Sequence, residues 1–142
     1  AARVMVIDIK PGSTDYHKVV SNLLLGGDPH TIAFTPDGNR AYIVSPLTNS
    51  VLVMNTEPGT PSYNQVVSIA GPCSRPTGIV FTPDGNHAYL TNYDSGTVSI
   101  VGTNPNLPDF NKVTPIMRVG QHPEGISITP DGSHIYVVTD NR

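Results

Sequence analysis

One phrase recurs three times along this chain of 142 residues. The copies are FTPDGNRAYIVS (34–45), FTPDGNHAYLTN (81–92) and ITPDGSHIYVVT (128–139). Their prolines lie 47 residues apart, at Pro36, Pro83 and Pro130, and other positions keep the same spacing across the whole chain. Self-similarity at such a period predicts a solenoid or a propeller.

Each repeat contains four short runs with strand character. The first two runs flank Thr-Pro-Asp-Gly, in which Pro presets φ and Asp-Gly favours a tight turn. In the middle repeat the runs are residues 79–81, 88–92, 98–103 and 112–119. No segment shows a helical period with caps. The pattern predicts an all-β propeller of four-stranded antiparallel blades, with three blades in the chain.

We expect one domain over residues 1–142, with repeats 29–75 and 76–122 and a split blade formed by 123–142 plus 1–28. The chain opens on a third strand, Arg3 to Ile9, and closes on a second strand, Ile135 to Thr139. The two ends therefore read as complementary halves of one blade.

Three blades do not close a ring, because propellers have about four to eight. We expect strands 3–9 and 135–139 to pair between chains, which leaves no open edge for aggregation. A homodimer of six blades is favoured over a trimer of nine, and a cyclic assembly fits such ends. The alternative is that the chain is a fragment of a longer propeller.

Composition excludes several classes of protein. The net charge is −3 and no basic run exists, so we expect no nucleic-acid partner. No apolar stretch is long enough for a transmembrane helix. Cys73 is the single cysteine, which excludes an intrachain disulfide and a multi-cysteine metal site, and we expect it to pack in a loop.

The repeat unit resembles the YVTN family of β-propeller repeats. That family is named for the tetrapeptide found here as Tyr89-Leu-Thr-Asn92, which the other copies vary as Tyr42-Ile-Val-Ser45 and Tyr136-Val-Val-Thr139. The resemblance implies a propeller, often of seven blades, in a secreted, periplasmic or cell-surface protein. The family includes lactonase-like members and subunits that sit beside redox cofactors. Absence of Trp disfavours the WD40 class.

The turns that lead into the first strand of each blade are expected to ring the mouth of the central channel. Each turn keeps a proline, while the polar residues on both sides of it vary. The candidate ligand-binding residues are Asp28, Arg75 and His122 before the prolines, and His30, Thr77 and Glu124 after them. A constant scaffold that carries varied polar groups is typical of a binding site on a repeat fold.

Three interpretations of this ring stay open. It is a funnel for a small molecule, a glycan or a protein; it is a catalytic or metal site that uses Asp28, His30, His122 and Glu124; or its residues are solvated turn residues. No Gly-x-Ser-x-Gly elbow, phosphate-binding glycine loop or His-Glu-x-x-His motif is present.

Residues that recur in every copy have structural explanations. We expect Asp37, Asp84 and Asp131 to shape the turns, and Tyr42, Tyr89 and Tyr136 to pack between blades. His87 and His134 are expected to face solvent.

The sequence thus favours a non-catalytic extracytoplasmic scaffold that binds a ligand at the channel mouth, without a catalytic residue, metal or cofactor. The alternatives are a lactonase-like or other propeller enzyme with a polar or metal site in its funnel, and a fragment of a larger seven-bladed surface or periplasmic protein.

Overall fold

The computed structural model describes residues 2–140. Two complete four-stranded antiparallel sheets lie between two hairpins. The N-terminal half-blade is β1 (Arg3–Ile7) and β2 (Val19–Leu24). The first blade is β3 (Thr31–Phe34), β4 (Arg40–Ser45), β5 (Ser50–Asn55) and β6 (Gln65–Ala70). The second blade is β7 (Pro76–Phe81), β8 (His87–Asn92), β9 (Thr97–Gly102) and β10 (Val113–Arg118). The C-terminal half-blade is β11 (Ile126–Ile128) and β12 (Ile135–Val137).

This architecture confirms the predicted all-β fold of four-stranded antiparallel blades. Within each complete blade, strands adjacent in sequence are neighbours in the sheet. In the described part of the chain, the helical structure is a single 3-10 turn at Pro46–Thr48, between β4 and β5.

The Thr-Pro-Asp-Gly turns owe their shape to the aspartate side chain. In the first blade, Thr35 Oγ1 donates to Asp37 Oδ1 at 2.6 Å and the Asn39 amide donates to the same oxygen at 2.9 Å. Asp84 and Asp131 accept the corresponding bonds in the other copies. These bonds favour the charged carboxylate and lower the pKa of all three aspartates. The recurring aspartates are therefore turn residues, as expected.

The main hydrophobic core lies between the first and second blades. Tyr42 is fully buried there, and its ring meets Phe81 of the second blade edge to face, with centroids 5.1 Å apart. Val44 and Val53 from the first blade and Leu90 from the second complete the centre of this cluster. Aromatic and branched side chains that alternate along the strands thus join two sheets face to face.

A second core lies on the opposite face of the first blade. Ile43, Leu52 and Met54 are buried there against Val4 and Leu23 of the N-terminal half-blade. At the other end of the molecule, β11 packs against β7. The elements therefore follow one another as half-blade, blade, blade and half-blade.

The half-blades leave apolar faces uncovered. Tyr136 is 68% exposed, whereas Tyr42, at the same position of the repeat, is 0% exposed. Ile7 is 53% exposed, against 2% for its counterpart Met54. Tyr136 therefore does not pack between blades as expected, because the described residues place no blade in front of it.

His87 also departs from the expectation of a solvent-facing side chain. Its Nε2 lies 2.9 Å from Asp109 Oδ2, and its side chain is one-third exposed. This contact ties the start of β8 to the loop that precedes β10. His134 is exposed, as expected, and its Nδ1 lies 2.8 Å from Ser133 Oγ.

Candidate functional site

The turns that precede β3 and β7 are anchored by their backbone amides. The Asp28 amide donates to Ser45 Oγ at 2.8 Å, and the Arg75 amide donates to Asn49 Oδ1 at 2.8 Å. Asn49 ends the short 3-10 turn of the first blade, so it connects that blade to the turn that begins the second. These bonds gather the turns and the β4–β5 connection at one end of the molecule.

Two of the predicted site residues have an unusual backbone conformation. Arg75 has φ of 51° and His122 has φ of 48°, and they occupy the same position of successive repeats. The left-handed region is uncommon for residues other than glycine, so both turns are held by their surroundings.

A shallow cavity of about 250 Å³ opens between these turns, and we call it the mouth groove. Five of the six predicted residues line it. The lining residues are Asp28, His30, Pro46, Leu47, Arg75, Thr77, Tyr93 and Glu124. The groove therefore combines two carboxylates, one guanidinium and an aromatic ring.

Tyr93 is the central residue that the sequence analysis did not single out. The Arg75 guanidinium carbon lies 5.1 Å from the centre of its ring. The His122 imidazole stacks on the same ring with centroids 4.5 Å apart and an interplanar angle of 15°. His122, the sixth predicted residue, thus lies beside the groove rather than in its lining. Tyr93 takes the repeat position of Pro46 and Asp140, and that variation between copies is the signal that points to it.

The charged groups at the mouth are only loosely paired. Arg75 Nη1 lies 4.0 Å from Asp94 Oδ1, and both side chains are more than half exposed. His122 Nδ1 lies 3.8 Å from Asp140 Oδ2. Exposed pairs at such distances contribute little to stability. The Arg75 guanidinium is therefore able to turn towards a ligand at small energetic cost.

Thr77 lines the groove, but its hydroxyl is engaged elsewhere. Its Oγ1 donates to Pro123 O at 2.9 Å and lies 3.0 Å from Thr91 Oγ1. The register between β7 and β8 shifts between Pro76 and Gly78, so Thr77 occupies a bulge that redirects its side chain. Thr77 therefore contacts the next blade, and its methyl group and backbone are what remain for the groove.

Cys73 lies close to the mouth and packs against the main core, as expected. Burial raises the pKa of its thiol to about 11. Because the thiolate is the nucleophile, a thiol with so high a pKa is unreactive at neutral pH.

The metal interpretation needs several ligating side chains at one point. Among residues 2–140, the structure contains no group of three or more His, Cys, Asp or Glu residues arranged to hold a metal ion. Glu124 lines the mouth groove, while His122 is stacked on Tyr93.

Residues 3–142 match the model of a family described as Lactonase, 7-bladed beta-propeller. The chain belongs to this family. Its blades and the groove at their mouth are thus parts of a lactonase-type propeller fold. A search of curated proteins gives no significant match.

Solved structures agree on the fold. Hydrazine synthase of Kuenenia stuttgartiensis is 28% identical with a TM-score of 0.67, over 78% of this chain and 29% of that one. A protein of Bacteroides uniformis provisionally assigned as a 6-phosphogluconolactonase is 20% identical with a TM-score of 0.74, over 96% and 41%. The periplasmic gluconolactonase PpgL of Pseudomonas aeruginosa is 19% identical with a TM-score of 0.66, over 96% and 42%.

The present chain covers 29% of the hydrazine synthase chain, 41% of the Bacteroides uniformis chain and 42% of the PpgL chain. In residues 2–140, no helix has the length and apolar character needed to cross a membrane.

Proposed function

We propose that the mouth groove binds a small sugar-derived lactone or the corresponding sugar acid. The observation that carries this proposal is the position of the Tyr93 ring beside the Arg75 guanidinium in a groove that also contains the Asp28 and Glu124 carboxylates. Membership of the lactonase family supports it, as do neighbours whose names refer to gluconolactone and 6-phosphogluconolactone.

The chemistry of the groove suits such a ligand. Carboxylates accept hydrogen bonds from sugar hydroxyls, and a guanidinium donates to a carboxylate or to an ester carbonyl. The Tyr93 ring offers an apolar surface to ring C–H groups. The groove volume of about 250 Å³ lies just below the range of about 300–1,000 Å³ for ligand pockets, which favours a single sugar unit.

Binding is tested by titrating D-gluconate into the protein in a calorimeter. Arg75→Ala is expected to weaken binding about tenfold or more, because a charge-assisted hydrogen bond is lost. Tyr93→Ala should weaken it by a smaller factor. Lys10→Ala, an exposed cation in the β1–β2 loop, is the matched control and should leave affinity unchanged. Failure of the wild type to bind gluconate, or equal affinity for Arg75→Ala, would contradict the proposal.

A hydrolysis assay on the same protein distinguishes a binding scaffold from a lactonase. Hydrolysis of D-glucono-1,5-lactone is followed by acid release at constant pH, against the spontaneous rate. Binding of gluconate without faster hydrolysis supports the non-catalytic scaffold. Hydrolysis above the spontaneous rate that is lost with Glu124→Gln supports the enzyme.

We also propose an extracytoplasmic location and repeats of the YVTN type. The likeness to a periplasmic gluconolactonase and the tetrapeptide Tyr89-Leu-Thr-Asn92 support these two points. Fractionation of cells that make the protein, followed by immunoblotting, tests the location, and protein confined to the cytoplasmic fraction would contradict it.

We further propose that the half-blades pair between two copies of this chain. The registers Val44↔Val51 and Thr91↔Val98 in the complete blades predict that Val138 lies opposite Val4 of the second copy. The register His87↔Gly102 likewise predicts that His134 lies opposite Asp8 of the second copy. β1 pairs with β2 and β12 with β11, so each has one edge without a partner strand in the described residues.

Two measurements test this pairing. Light scattering should give about twice the 15.1 kDa mass of one chain. In a Cys73→Ser background, mixing Val4→Cys and Val138→Cys chains should give a disulfide-linked pair, which neither variant gives alone. A monomer at all concentrations would contradict the proposal. The open edges of β1 and β12 would then be expected to pair with other strands of a longer polypeptide.

A further inference from the structure

The contact between the second blade and the C-terminal half-blade contains two adjacent threonine hydroxyls. Thr91 is 0% exposed, and its Oγ1 donates to Glu124 O at 3.0 Å. Thr77 Oγ1 donates to Pro123 O at 2.9 Å and lies 3.0 Å from Thr91 Oγ1. Two successive carbonyls of the turn that carries His122 and Glu124 are therefore bound by the preceding blade.

The number of hydroxyl hydrogens limits how many of these bonds form at once. Each hydroxyl has one hydrogen to donate. The Thr77 hydrogen goes to Pro123 O, so Thr77 Oγ1 is left as an acceptor. The single Thr91 hydrogen then has three acceptors within reach: Glu124 O and Thr77 Oγ1 at 3.0 Å, and Gly78 O at 3.4 Å. The two side chains act as one unit rather than as independent contacts.

The corresponding contact between the first and second blades is simpler. There, Thr31 Oγ1 donates to Thr77 O at 3.0 Å, and a single carbonyl is bound. β3 pairs with β4 without a bulge, and the repeat positions of Thr77 and Thr91 are His30 and Val44. The position of Thr31 is Gly78 in the second blade, where a Cβ would lie 2.9 Å from Glu124 O. The glycine thus gives the next turn room to approach the hydroxyl pair.

We infer that Thr77 and Thr91 are positioning residues, which fix Glu124 and His122 at the mouth through the backbone of their turn. This role is additional to the ligand contact expected of Thr77, which lines the mouth groove. It rests on the proposed function for its effect on ligand binding, but its effect on the turn is independent of any ligand.

Hydrogen exchange measured by mass spectrometry tests the effect on the turn. Thr91→Val keeps the shape of the side chain and removes the donor, leaving Glu124 O without this bond. Exchange in residues 120–126 is expected to rise about tenfold, which corresponds to about 1.4 kcal/mol. Thr91→Ser restores the hydroxyl and should return exchange close to the wild-type rate. Thr77→Val should give the same rise, and it serves if Thr91→Val does not fold.

Thr103→Val is the matched control. Thr103 is 2% exposed and its hydroxyl donates to Gly85 O at 2.7 Å, at the opposite end of the same blade. This variant should leave exchange in residues 120–126 unchanged. An unchanged rate in Thr91→Val and Thr77→Val, or an equal rise in Thr103→Val, would overturn the inference.

Affinity for D-gluconate separates this inference from the proposed function. If the wild type binds, Thr91→Val should bind more weakly and Thr91→Ser should recover. Unchanged affinity despite faster exchange would overturn the positioning role. If the wild type does not bind, the proposed function fails, while the exchange data still decide whether the two threonines hold the turn.

Discussion

Tyr42 and Tyr136 occupy the same position of the repeat, in strands with nearly the same turn before them. Tyr42 is 0% exposed because the second blade covers it, whereas Tyr136, in the C-terminal half-blade, is 68% exposed. The local sequence therefore decides that a tyrosine stands on this face of the strand. Whether it is buried depends on the neighbouring blade.

Truncation of these two tyrosines should give the largest contrast. Tyr42→Ala is expected to lower the free energy of unfolding by about 3–5 kcal/mol, because it removes a buried aromatic ring and leaves a cavity. Tyr136→Ala should change it by no more than about 0.5 kcal/mol, as is usual at exposed positions. Urea unfolding at low protein concentration measures both values.

Raising the protein concentration sharpens the contrast. If a second copy covers the C-terminal half-blade, the cost of Tyr136→Ala should grow with concentration, while that of Tyr42→Ala should not. If Tyr136→Ala greatly lowered the free energy of unfolding at every concentration, the Tyr136 face would already be covered in the monomer. The contrast with Tyr42 would then be wrong.

Two glycines at one repeat position should differ by a smaller amount. A Cβ on Gly78 would lie 2.9 Å from both Glu124 O and Ile126 Cγ2, whereas a Cβ on Gly125 would meet Val138 Cγ2 at an ordinary 3.7 Å. Gly78→Ala is therefore expected to cost about 1–3 kcal/mol. Gly125→Ala should be neutral or slightly stabilising, because it restricts the unfolded chain. Thermal unfolding of both variants checks this, and equal losses would contradict it.

The smallest expected effect is a loss of stability at low pH. It should be similar in the complete second blade and in the C-terminal half-blade. Hydrogen bonds from Thr129 and Ser133 lower the pKa of Asp131 to about 2, and bonds from Thr82 and Asn86 lower that of Asp84. A carboxyl with a lowered folded pKa stabilises the fold above its unfolded pKa of about 4, and the stability is lost as pH falls towards 2.

Asp84→Asn and Asp131→Asn should each remove part of this acid sensitivity. Free energies of unfolding measured between pH 5 and pH 2 should converge with those of the wild type as pH falls. If only one of the two variants changed the acid profile, the turns would not be equivalent in a blade and a half-blade.

Much of the fold was predictable because its signals are local. The Thr-Pro-Asp-Gly turn fixes where β3 and β4 meet, and its aspartate makes the expected bonds. Alternating apolar residues such as Val51 and Val53 predict a buried strand face, which the core between the blades confirms. The variation around the mouth prolines pointed to six residues, of which five line one groove, while their role in binding stays a prediction.

The remaining features depend on contacts between blades. The sequence predicts that Thr77 faces the mouth. Because the register shifts within β7, its hydroxyl instead donates to Pro123 O of the next blade. Tyr93 becomes central only because His122 of the following turn stacks on it. His87 reads as a solvated residue, and only the return of the loop before β10 places Asp109 against it. Spacing in one sequence does not reveal such contacts, because they join residues in different repeats or across a loop.

The way the mouth turns are anchored has a consequence for how this surface evolves. The backbone amides of Asp28 and Arg75 donate to Ser45 and Asn49, so this anchoring does not depend on the Asp28 and Arg75 side chains. An acid and a base therefore stand at one repeat position without altering a hydrogen bond between strands, although their amides bind different partners and only Arg75 has a positive φ. Substitution of the residue before the mouth proline is thus expected to change the charge at the mouth at little cost to the fold.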